Sequence, residues 1–172
     1  MRLALALITV TMAGCAATPT ISEQSQVEAS QHPEVRVRVE SDPAMRKVEG
    51  YEETAAELLQ YFTDNLRASG KFARVTTDAP APGTKVYEVR LAITSLNYVH
   101  GAGRAMVGIL AGRAVLGVEM AVTDLETGKE LGRMSASHAS HHGQGVFSPT
   151  TSRQAEAIAK QLSERLVAGP RR

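Results

Sequence analysis

From Val86 to Asn97 apolar and polar residues alternate, with Tyr87, Val89, Leu91 and Ile93 set against Glu88, Arg90 and Thr94. A period of two over that length marks a β-strand with one buried face. Such a strand cannot stand alone, because its apolar face needs a cover and its backbone groups need partners. Two further runs repeat the pattern. Val35, Val37 and Val39 alternate with Arg36, Arg38 and Glu40, and Leu116, Val118, Met120 and Val122 form a third apolar set.

The cover comes from two stripes at helical spacing. Ala55, Leu58, Leu59, Phe62 and Leu66 fall on one helix face, preceded by Thr54-x-x-Glu57 at capping-box spacing and followed by Gly70. Ala155, Ile158, Ala159, Leu162 and Leu166 form the second stripe. Thr151-x-x-Gln154 stands at its head, and Gly169-Pro170 stops it. Residues 72–76 read as a short strand, and 78–83, with Pro80 and Pro82, as a loop. Asp124 to Lys129 is a turn cluster in which Gly128 can take positive φ, so 130–140 should return as an antiparallel strand.

The predicted fold is α/β: a two-layer sandwich with a mixed, mostly antiparallel sheet of about five strands and both helices on one face. The opening strand–helix–strand should be right-handed if its strands lie parallel in one sheet. Tryptophan is absent and aromatics make up 4% of the chain, so the core should be built mainly of Val, Leu, Ile and Ala.

Cys15 is the single cysteine, so no disulfide can form within the domain and stability must come from the core. It follows one positive charge, Arg2, an apolar run and the small residues Ala13 and Gly14. That run is far short of the roughly 20 apolar residues that span a bilayer, and it fits an export signal. Met12-Ala13-Gly14-Cys15 resembles the lipobox of bacterial lipoproteins, in which the cysteine is acylated, palmitate being one of the chains. An ordinary secretory cleavage after Ala17 is the competing reading. The organisation expected is a signal peptide over 1–14, a flexible tether over 15–33 and one α/β domain over 34–169. With 19 basic and 18 acidic side chains, the sequence has no electrostatic footprint for nucleic acid.

Several of these residues occur in one order: Ser69-Gly70-Lys71-Phe72-x-x-Val75, Tyr87-x-Val89-x-Leu91-x-Ile93, a Gly-rich link, and Val122-x-Asp124-x-x-Thr127-Gly128-Lys129. In that order, behind an exported leader, they resemble the bacterial lipoproteins catalogued as domain of unknown function 4410, over residues 35–167. The resemblance implies a fold and a compartment, with no reaction, substrate or catalytic residue to carry over. Ala16, by the sorting rule of enteric lipoproteins, implies lipid anchoring at the outer membrane with the domain facing the periplasm.

Two clusters invite a site. His138, His141 and His142 could hold zinc or copper if their imidazoles converged, although on a strand only His138 and His142 share a face. A polar strand end is the other account. Residues 101–117 link two strong strands yet are apolar where a loop should be polar. Within them Met106, Val107, Gly108, Ile109, Leu110 and Gly112 could form a contact surface for a bilayer or partner, or fold back on their own sheet. No Gly-x-Ser-x-Gly elbow or phosphate-binding loop occurs. The expected function is therefore non-catalytic and cofactor-free: an accessory or interaction module of the bacterial envelope, held by its lipid, with an envelope protein as partner. The alternative is a periplasmic protein binding a small ligand or metal.

Overall fold

The computed structural model describes residues 20–25, 33–40, 42–80, 85–97, 114–139 and 151–169. In chain order these form β1 (Thr20–Ser25), β2 (Glu34–Glu40), a 3-10 turn (Met45–Lys47), α1 (Tyr51–Ser69), β3 (Arg74–Thr76), β4 (Val86–Asn97), β5 (Val115–Asp124), β6 (Glu130–Ala139) and α2 (Thr151–Ala168). The strands make one sheet in the order β1-β6-β5-β4-β2-β3. β2 runs parallel to β3 and β4, and every other pair is antiparallel. The two-layer α/β expectation holds, with six strands where about five were expected.

The sixth strand is the correction. Residues 15–33 were expected as a tether, yet Thr20–Ser25 pairs with β6 from Ser137 to Gly132. A polar segment with little apolar surface of its own can still satisfy its backbone along the edge of an existing sheet.

The core lies between the helices and one face of the sheet. Val35, Val37, Val89, Leu91, Leu116, Val118, Met120 and Met134 are buried there with Leu58, Phe62, Leu66, Ile158 and Leu162 from the helices. The register explains why they meet: Val39 lies beside Leu91, Leu91 beside Met120, and Met120 beside Met134. A period of two therefore carries one apolar band across four strands. Between Ile93 and Ser95 the β4–β5 register shifts, and Gly117 sits against that bulge, where a Cβ would press on the Ser95 and Thr94 hydroxyls.

The helix ends differ from the capping boxes expected. α1 starts one turn earlier than the Thr54 signal, after Gly50 at φ 74°, with Glu52 and Glu53 in its first turn. The Thr54 hydroxyl donates to the Gly50 carbonyl at 2.7 Å. Glu57 instead accepts from the Ser152 hydroxyl at 2.9 Å, joining the two helices. The buried Gln154 amide donates to the Ala114 carbonyl at 3.2 Å, tying α2 to the start of β5. Gly70 and Gly169 end their helices at φ 64° and 68°, as their positions predicted. Asp124 organises the β5–β6 turn as expected: its Oδ1 accepts from the Glu126 and Thr127 amides at 2.8 and 3.2 Å.

Candidate interaction face

The face of the sheet turned away from the helices is built by the alternate residues of the same strands, and no described element packs on it. It carries five arginines, Arg36, Arg38, Arg74, Arg90 and Arg133, and five glutamates, Glu34, Glu40, Glu88, Glu119 and Glu130. The strand register sorts most of them into rows. Arg38 stands beside Arg90, Arg90 beside Ala121, and Ala121 beside Arg133, so one row across β2, β4, β5 and β6 holds three arginines. On one side of it lies the row Glu40–Ala92–Glu119–Ser135. On the other lies Arg36–Glu88–Thr123–Glu130.

Like charges directly opposite on neighbouring strands repel, and Arg38 and Arg90 resolve this by reaching diagonally in opposite directions. Arg38 Nε lies 3.2 Å from Glu88 Oε1, while Arg90 Nη1 lies 3.8 Å from Glu40 Oε2. Glu88 also receives Arg36 Nη1 at 3.3 Å. Its side chain is only 9% exposed, so its charge is held by two guanidinium groups instead of water. Arg133 pairs with Glu119 and, at 2.6 Å, with Glu130. The hydrogen bond from Arg133 holds the Glu130 carboxyl below the usual carboxylate range, and the same two glutamates push the Arg133 guanidinium up. At the β3 end, Arg74 lies 3.7 Å from Glu34. Together the ten charges cancel.

An open groove of about 550 Å³ adjoins this face at the 3-10 turn, lined by Glu40, Asp42, Met45, Ala92, Ile93 and Thr94 among others. Both its carboxylates are engaged: Asp42 accepts from the Ala44 amide at 2.7 Å, and Glu40 faces Arg90.

Of the residues singled out from sequence, Cys15, His141, His142 and the segment Met106, Val107, Gly108, Ile109, Leu110 and Gly112 lie outside the described residues. His138 is on β6 beside Leu116, on the helix-covered side of the sheet and half-buried. Among the described residues, no group of three or more His, Cys, Asp and Glu side chains comes together as a metal site. The alternation of Arg36, Arg38 and Glu40, and of Glu88 and Arg90, was visible in the sequence. Glu119 and Arg133 were missed, although each alternates with the apolar set of its own strand; Glu130 is in phase with Met134 and Ala136 and reaches this face only through the register shift between Val122 and Thr123.

The family model described as "Domain of unknown function (DUF4410)" matches residues 20–143, beginning where β1 begins. No curated protein matches the chain. Among solved structures, a point variant of the PelC dodecamer from Paraburkholderia phytofirmans is similar at TM-score 0.56 and 17% identity, covering 89% of this chain and 99% of that one. The PelC dodecamer in another crystal form gives 0.55 and 15% over the same shares. A lipoprotein candidate from Caulobacter crescentus CB15 has a TM-score of 0.42 at 14% identity, covering 78% and 88%. The PelC likeness is one of fold.

Proposed function

The chain belongs to the family described as a domain of unknown function, DUF4410, and on that premise we propose that it is a non-catalytic lipoprotein of the bacterial envelope. In this reading Cys15 carries the acyl chains, the anchor sits in the outer membrane, and the domain faces the periplasm as an accessory or interaction module. The observation that carries it is the leader: one charge, a short apolar run and Ala13-Gly14 immediately before the only cysteine. No described helix is long and apolar enough to cross a membrane. Two or more acyl chains, at about 0.8 kcal/mol per buried CH₂, hold a protein stably on a bilayer. The charge-paired face supports an interaction role, since ordered charges at a surface set partner choice more than affinity. PelC, which shares the fold, is a dodecamer.

The test is fractionation and intact mass. The mature chain should begin at Cys15 with a lipid-sized mass increment and sediment with outer membranes. Cys15→Ala should leave it in the soluble periplasm or unprocessed. An unmodified chain beginning at any other residue would end the lipoprotein reading. Crosslinking in intact cells followed by capture of the chain tests the partner role.

A further inference from the structure

We propose that the charge-paired outer face is where two copies of this chain pack together, about a two-fold axis lying across the strands. The axis falls between the row of Arg38, Arg90 and Arg133 and the row of Glu40 and Glu119. This rests on the interaction-module reading above and names its partner.

The geometry follows from the register. A two-fold axis across the strands reverses their direction and leaves each strand facing its own copy. Placed between the two rows, it sets Arg38 over Glu40 of the other copy, and Arg90 and Arg133 over Ala92 and Ser135, each one strand (about 4.8 Å) from a glutamate of the facing row, and the reverse. Both sets of contacts therefore bring opposite charges together, which an isologous interface requires. The strands of the two copies run antiparallel across the interface, compatible with aligned packing of two sheets. Ala92 and Ala121 stand within these rows, so no bulky side chain rises between the charges.

Three further observations favour a second copy. All five cations named on this face are arginines, the charged residue enriched at interfaces. Ion pairs within each copy already orient these side chains, which lowers the ordering cost of association. Six strands at about 4.8 Å spacing, over about seven residues, give a face of roughly 650 Å² per copy; roughly 1,300 Å² in total lies within the range of specific interfaces. A polyanion fits less well, because it would meet five glutamates among the five arginines.

The experiment uses the full chain carrying Cys15→Ala, so that no lipid drives association, in sedimentation at low salt and roughly 100 μM, a concentration that detects micromolar self-affinity. A dimer is expected, and it should loosen as salt rises from about 0.05 M to about 1 M, where screening reaches about 3 Å. Arg90→Glu with Arg133→Glu should weaken self-association at least tenfold, as should Glu40→Arg with Glu119→Arg. Mixed one to one, the two variants should recover a heterodimer, because each row then meets its opposite. If charge reversal abolishes the cooperative melt, Ala92→Trp takes its place: it changes no charged residue, places bulk within the glutamate row and should also abolish the dimer. A monomeric parent chain, or a dimer that survives these changes, would overturn the proposal. A monomer that still captures another envelope protein in cells would overturn self-association alone and leave the interaction-module reading standing.

Discussion

Leu91 and Arg90 are neighbours on β4, yet they belong to two different physical problems. Leu91 points to the helix side, fully buried beside Val39 and Met120. Arg90 points to the other side, in a row of arginines held by glutamates from adjoining rows. The helix-covered face gains from removing apolar surface from water, at about 25 cal/mol per Å², so its contribution scales with volume and fit. The outer face gains little from each pair, because exposed ion pairs are typically worth about 0–1 kcal/mol. One sheet thus separates what holds the domain together from what distinguishes its surface.

That contrast breaks first, and most violently, on the helix side. Leu91→Ala should cost about 2–5 kcal/mol, because the deleted methyl groups leave a cavity between two rigid layers. Urea unfolding followed by far-UV circular dichroism measures it as a lower midpoint at unchanged slope. A loss below about 1 kcal/mol would mean that the two layers can collapse into the space, contrary to the close-packed core described here.

A middle case sharpens the contrast, since Glu88 is on the outer face yet nearly as enclosed as the core. Glu88→Gln removes the charge that Arg36 and Arg38 share and leaves Arg38 facing Arg90 without its diagonal partner. The two arginine side chains are 28% and 44% exposed, so water recovers part of the loss; about 1–2 kcal/mol is expected. Adding Arg38→Gln should recover part of that loss, and the double-mutant cycle measures the coupling. A neutral Glu88→Gln would make the outer face a solvated surface throughout.

How much of this was legible in the sequence depends on the range of the interaction. The alternation in β2, β4 and β5 and the two helix stripes are local periodicities, and each appears where its residues placed it. Gly70, Gly128 and Gly169 also act locally, through positive φ. The capping boxes did not form as read, because α1 starts a turn before Thr54, whose hydroxyl donates to Gly50, and because distant partners hold the other side chains: Ser152 takes Glu57, and the Ala114 carbonyl takes Gln154. β1 could not be read from Thr20–Ser25 alone, since a mostly polar segment becomes a strand only when β6 offers an edge. The arginine row was hidden for the same reason. Arg38, Arg90 and Arg133 are far apart in the chain, and only the register of four strands sets them in line.

The smallest expected effect lies at Glu130, an exposed member of the outer face. Its folded carboxyl titrates lower than the ordinary value of 4.5, chiefly because Arg133 donates a hydrogen bond to it. A carboxyl whose folded value is depressed contributes stability above its unfolded value and loses it as pH falls through the folded one. Wild type should therefore exceed Glu130→Gln slightly at neutral pH, and the two should converge once pH falls below the depressed value. Because Glu130 sits in solvent, the neutral-pH gap should be smaller than that of Glu88→Gln, and salt should shrink it further. Urea midpoints across an acid series, at low and high salt, measure both trends. If Glu130→Gln matched Glu88→Gln in size and ignored salt, the outer face would be electrostatically uniform, and burial would not be what sets Glu88 apart.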